Sequence, residues 1–228
     1  MTHLLHLDAS AGSASTSLSR ALAATWRSAW SRADPTSTVT HRDLATDPIP
    51  HVSALQHEIA VAVASGQPLP ERPNPSAALR LQEQLLAELL AASAVLISTP
   101  MYNYGLPAAL KAWVDQIAVV GRTIMPTGHP RPLQGRPITV ISTRGATYPP
   151  GGPAAARDHV TGYLHTLLVD TLGMDLTLMP VDSTLAARSA TPSPAQASAQ
   201  QRIAAAHREA SDLATTLALA LRHAPATP

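Results

Sequence analysis

Ala94-Val95-Leu96-Ile97-Ser98 runs directly into Thr99-Pro100-Met101-Tyr102-Asn103-Tyr104-Gly105-Leu106-Pro107, and this junction decides how the chain is read. The apolar run has the length and the closed boundary of a strand buried on both faces. Beyond Pro107, Leu110, Trp113 and Val114 recur at helical spacing, with Lys111 beside them. Strand, loop and helix in this order form a unit of an open α/β sheet, and such sheets bind ligands at the loops beyond the carboxyl ends of their strands. Here the loop is polar and aromatic. Asn103 offers donors and acceptors, Tyr102 and Tyr104 offer stacking faces, and Gly105 lets a backbone come close. These groups suit a flat heteroaromatic ring.

Outward from this point the same alternation repeats. Residues 4–7 read as a first strand, followed by a small-residue loop (9–16) and a helix over 17–30 with Leu18, Leu22, Trp26 and Ala29 on one face. A short strand (38–40) leads into a long connection, 43–74, punctuated by Pro68, Pro70 and Pro73. It is expected on the surface with a short helix near 54–64. Asn74 or Ser76 caps a helix reaching residue 92, which buries Leu79, Leu85, Leu86, Leu89 and Leu90. The helix after Pro107 is expected to reach 120, and 123–134 to be irregular. A fourth strand (138–142), a loop (143–148), a helix (154–172), a fifth strand (176–179) and a last helix (194–222) complete the chain. Five strands alternating with helices predict a parallel sheet covered on both faces, a three-layer α/β sandwich with strand order 2-1-3-4-5, which is the flavodoxin-like arrangement. One domain is expected over residues 1–223, with a frayed tail at 224–228.

Composition narrows the function. The 228 residues carry a net charge of +1, and a single lysine stands among 16 basic residues. The arginines are scattered, without a basic stripe or an RNA-binding aromatic motif, so nucleic acid is not the expected partner. With no cysteine, disulfides, thiolate-bound zinc, iron–sulfur clusters and thiol catalysis are excluded. The amino terminus lacks the basic and apolar regions of a signal peptide, and no run reaches the roughly 18 apolar residues of a membrane span; a soluble cytoplasmic protein is expected. The ten histidines show neither His-x-x-x-His nor His-Glu-x-x-His spacing, so no metal site is expected. Gly-x-Ser-x-Gly is absent as well, which disfavours an α/β-hydrolase.

In the predicted sheet the loops after strands one, three and four open on one edge, and they are the three loops rich in polar, small and aromatic residues. The first, Ser10-Ala11-Gly12-Ser13-Ala14-Ser15-Thr16-Ser17-Leu18-Ser19, is either a serine-rich turn with an ordinary helix cap or an anion site built from hydroxyls and helix N–H groups. It is neither a Walker loop nor a dinucleotide fingerprint. The third, Thr143-Arg144-Gly145-Ala146, presents backbone amides. Arg144 is either solvated or a partner for negative charge on a reduced flavin, and Tyr148 either flanks the ring or packs under the loop.

The block 100–107, followed by Leu110-Lys111-Ala112-Trp113 and Asp115-Gln116, resembles the FMN-dependent NADH-azoreductase family, whose pattern is Pro-Met-Tyr-Asn-Phe-x-x-Pro and then Leu-Lys-x-Tyr/Trp-x-Asp. Ser17-Leu18-Ser19, Arg42-Asp43-Leu44 with Pro48-Ile49-Pro50, and Thr143-Arg144-Gly145 agree with it. The resemblance implies FMN phosphate at Ser10, Ser17, Leu18 and Ser19. It implies isoalloxazine contacts from Met101, Tyr102, Asn103 and Tyr104 and from Thr143, Arg144, Gly145 and Ala146. It further implies ping-pong hydride transfer from NADH or NADPH through FMN to quinones or aromatic azo compounds, with no catalytic side chain. It also implies a homodimer to which residues 43–74 and 123–134 contribute. Three departures stand out. Tyr104 replaces Phe, Thr143 replaces Ser, and Ala146 replaces Gly, where a positive φ would carry strain. A non-enzymatic flavodoxin-like electron carrier is the alternative. Such carriers are usually acidic, whereas this chain has a pI near 8.3.

Overall fold

A computed structural model describes residues 1–70 and 76–223. Strands β1 (His3–Asp8), β2 (Thr38–Asp43), β3 (Ala94–Pro100), β4 (Pro137–Thr143) and β5 (Asp175–Val181) pair in parallel in the order β2-β1-β3-β4-β5. The expected strand order is observed. The chain winds outward in both directions from β1 and β3, which sets the switch point between these two strands.

Side-chain alternation along the strands builds two cores. Leu5, Leu7, Val95, Ile97, Ile138 and Val140 face α3 (Ala77–Ala91) and α4 (Ala108–Ile117), whose Leu85, Leu86, Leu89, Leu110 and Trp113 are buried. On the other face Leu4, Leu96, Ile141 and Met179 meet α1 (Leu18–Ala33) and α7 (Pro194–His223). Helix α1 contributes Leu22 and the stacked pair Trp26 and Trp30. Helix α7 offers Ala206, Ala210, Ala214 and Ala218 at four-residue spacing, and these small side chains let it lie close against α1.

Several boundaries differ from expectation, each for a nonlocal reason. Strand β2 runs on to Asp43 because Arg42 pairs with Glu88 of α3 and Asp43 with Arg20 of α1. Polar residues thus complete an edge strand that sequence alternation ends at Thr40. Helix α4 stops at Ile117 rather than 120, because the Thr123 hydroxyl takes the Val119 N–H and donates to the Ile117 carbonyl. The helix expected over 154–172 is broken. After a 3₁₀ turn at Ala155–Arg157, the Asp158 carboxylate accepts the N–H groups of Val160 and Thr161 at 3.0 Å each, so the chain restarts as α5 (Thr161–Leu164). It then widens into π-helical turns over His165–Thr171.

The 43–70 segment lies less freely on the surface than its prolines imply. Leu44 and Ile49 enter the core, and α2 (Ala54–Ser65) starts with a Ser53–Gln56 capping box. Buried Gln56 donates to Gln116 at 2.6 Å, and Gln116 donates to the Pro50 carbonyl. Ser76 caps α3; Asn74, the alternative cap, lies outside the described residues, as do Pro73 and the 224–228 tail. Lys111 forms an exposed pair with Asp115. Among the described residues no helix is long and apolar enough to cross a membrane.

Candidate functional site

Three loops close over the carboxyl ends of β1, β3 and β4, and hydrogen bonds stitch them together. The Ala11 N–H donates to the Tyr102 hydroxyl at 3.2 Å, joining the first loop to the second. The Met101 N–H donates to the Thr143 carbonyl at 2.8 Å, joining the second to the third. Together they wall a cleft of about 1010 Å³, lined by Ser10, Ser17, Leu18, Met101, Tyr102, Thr143 and Gly145 among others. The convergence expected from strand order is therefore present in space.

The first loop leaves hydrogen-bond donors free at the start of α1. Ser17 caps α1, with its hydroxyl accepting from the Arg20 N–H. The N–H groups of Leu18 and Ser19 have no acceptor among the described residues. Ser10 is buried but lines the cleft, and its carbonyl is held by Arg20 Nη2 at 2.7 Å. Ser19 is fully buried with its hydroxyl on Ser17, so it can reach a ligand only through its N–H.

The second loop is a two-residue turn. Tyr102 and Gly105 exchange hydrogen bonds at 3.0 and 2.9 Å, and Asn103 and Tyr104 between them have φ of 48° and 69°. Positive φ at both central residues defines a type I′ turn. Asn tolerates that conformation, whereas an aromatic residue pays strain for it. Gly105 has no positive φ; the left-handed conformation falls on the two residues before it. Asn103 and Tyr104 are exposed and do not line the cleft, while Met101 and Tyr102 do.

In the third loop the N–H groups of Gly145 and Ala146 have no acceptor among the described residues. Arg144 contributes neither side chain nor amide to the opening. Its guanidinium is buried against Asp158 (2.5 Å) and Asp182 (3.2 Å), and its N–H donates to Val181. The Tyr148 ring centroid lies 5.9 Å from the Arg144 guanidinium carbon, so this ring packs over that arginine. Ala146 has no positive φ, so its departure from Gly carries no strain.

The far wall of the cleft was not legible in the sequence. It consists of Thr184 and Leu185 of α6 (Thr184–Ala187), Arg188 after it, and Gln200, Ile203 and His207 of α7. A four-residue helix leaves no periodic signal. Among the described residues no carboxylate lines the cleft, so Arg188 and an open helix N-terminus give it a positive field. Elsewhere His6 and His41, far apart in sequence, stack with ring centroids 4.6 Å apart.

Fold and cleft together define a protein of the doubly wound type whose cleft opens at the first strand–helix turn. The chain belongs to the flavodoxin-like family, whose model matches residues 2–210. Two relatives, each named FMN-dependent NADH:quinone oxidoreductase, come from Streptomyces avermitilis and Kineococcus radiotolerans. They are 39% and 40% identical, over 96% and 97% of this chain and 98% and 100% of their own. In fold the chain resembles an azoreductase from Bacillus anthracis, with a TM-score of 0.79 at 23% identity over 95% of this chain and 100% of that one. It also resembles an FMN-dependent NADH-azoreductase of the same species in complex with FMN, with a TM-score of 0.78 at 19% identity over 96% and 100%.

Proposed function

We propose that this chain is an FMN-dependent NADH:quinone oxidoreductase that also reduces aromatic azo compounds. The observation that carries the reading is the single cleft formed by the three loops, with free N–H groups at both of its polar ends. Similarity to the two named oxidoreductases along nearly the whole of each chain supports it.

The residues present fit FMN. The Leu18 and Ser19 N–H groups and the Ser10 and Ser17 hydroxyls supply donors for a phosphate without a paired lysine. Met101 and Tyr102 offer apolar and aromatic surface to the isoalloxazine, and Asn103 offers an amide at the rim. The Gly145 and Ala146 N–H groups suit the pyrimidine edge of the ring, where fixed donors stabilise negative charge. When bound, FMN supplies the two-electron chemistry, passing hydride from the nicotinamide to the acceptor. The protein's part is to bind, orient and leave one ring face open, and no side chain is placed as an acid or base. Arg188 makes the far wall cationic to an anionic co-substrate, whether NADH or NADPH.

The subunit arrangement we propose is a homodimer. Val52, Val61, Val63 and Leu69 are all exposed on the α2 region, more apolar surface than a helix facing water usually shows. A partner subunit covering it would bring a second wall to each cleft.

The test is to purify the protein, measure bound flavin, and follow NADH oxidation with menadione and with methyl red. Flavin that NADH reduces, with turnover on both acceptors, is expected. A protein that takes up no FMN, or holds FMN that NADH cannot reduce, removes the assignment.

A further inference from the structure

The α1-facing side of the sheet carries a second group of ligand atoms beneath the first loop. His6 and Asp8 are two residues apart on β1 and therefore share a face. Parallel register sets His41 of β2 directly beside His6. The Asp8 carboxylate spans the edges of the two rings, with Oδ2 2.9 Å from His41 Nε2 and Oδ1 3.4 Å from His6 Nε2. The three candidate ligand atoms all lie within 4.8 Å of one another.

His6 is 2% exposed; its Nδ1 has no hydrogen-bond partner, and its Nε2 meets only Asp8, at 3.4 Å. Buried polar atoms in folded proteins are almost always satisfied, and one that is not points to a missing ligand. Two imidazoles and one carboxylate form a donor set for a borderline transition metal, not for calcium or magnesium.

We infer that His6, Asp8 and His41 bind one divalent transition-metal ion, with zinc as the type. Zinc bonds of about 2.0–2.2 Å in tetrahedral array put ligand atoms roughly 3.4 Å apart, so closure needs only rotamer-scale movement. Ser98 donates to Asp8 and acts as the outer-shell partner that fixes the carboxylate. Arg20 is the nearest cation, 3.5 Å from Asp8 Oδ2, but its close partner is Asp43 at 2.6 Å. The partly exposed His41 gives the ion a way in from solvent. The site joins β1 to β2 below the first loop and does not depend on the flavin reading.

The experiment uses the full chain as purified, its flavin content recorded, then stripped with chelator and dialysed. Zinc binding is measured by calorimetry, and cobalt(II) binding by its visible d–d absorption. One ion per chain is expected, with absorption typical of four- or five-coordinate cobalt. His41→Ala, at the partly exposed position, is expected to weaken binding more than ~tenfold while circular dichroism and flavin content stay unchanged. His129→Ala, in an exposed turn, is the control and is expected to bind as the parent does. No binding by the parent, or zinc affinity equal in His41→Ala and the parent, overturns the site and assigns any uptake to surface histidines. Because flavin content is read separately, that failure leaves the redox assignment standing.

Discussion

At the scale of single residues, the decisive feature is the strained pair in the second loop. Asn103 and Tyr104 both hold positive φ, so substituting Asn103 by alanine would mix backbone strain with loss of the amide. Asn103→Gly keeps the turn. It is expected to leave unfolding by urea within about 0.5 kcal/mol and to weaken FMN retention, read by fluorescence titration. Unchanged FMN affinity removes Asn103 from the binding set. Gly145 is a steric case: a Cβ there would lie 2.8 Å from Leu185 Cδ1. Leu185 is 70% exposed and its side chain can swing aside, so Gly145→Ala should leave urea unfolding within about 0.5 kcal/mol of the parent. A larger loss means that the third loop is held by something other than this contact.

At the scale of elements, Arg20 ties α1 to the sheet. Register places Asp8 and Asp43 directly opposite each other on β1 and β2, a like-charge pair that is unfavourable by itself. The Arg20 guanidinium takes Asp43 with two bonds, approaches Asp8, and holds the Ser10 carbonyl. Arg20→Met leaves two carboxylates facing each other and is expected to cost about 3–5 kcal/mol and to weaken FMN with it. The Arg20 bond also holds the Asp43 carboxyl below its ordinary value of 3.8. A depressed carboxylate contributes stability above its unfolded pKa and loses it as pH falls through the folded one. The chain should therefore lose stability below about pH 4 (the ordinary Asp range), and Asp43→Asn should flatten that acid limb in unfolding measured at stepped pH. An acid limb as steep in the variant as in the parent contradicts the link.

For the whole molecule, the open question is how the cleft is completed. Helix α2 is anchored from within by Gln56 and Gln116, yet its outer side shows Val61 and Val63 to solvent. A covered α2 predicts a dimer by light scattering, and Val61→Glu/Val63→Glu predicts a monomer with weaker FMN binding. A parent that is monomeric at all concentrations refutes the arrangement. The buried Arg144 tells a related story about scale. Its position in the third loop pointed to the ligand, but Asp158 and Asp182 arrive from later segments and claim the side chain. A buried guanidinium needs paired carboxylates more than an open cleft needs one more cation.

Local patterning by itself determined the five strands, their order, the leucine and tryptophan faces of α1 and α3, and the three loops that gather at one edge. Each of these follows from periodicity and turn chemistry carried within a few residues. Only the folded chain decided which side chains were left free. It broke the 154–172 helix at Asp158, gave Arg144 its partners, built the far wall from α6 and α7, and set His41 against His6. Those outcomes depend on register and on contacts between distant segments, where a charge or a hydrogen-bonding group is settled by whatever neighbour arrives, and no local period encodes that arrival.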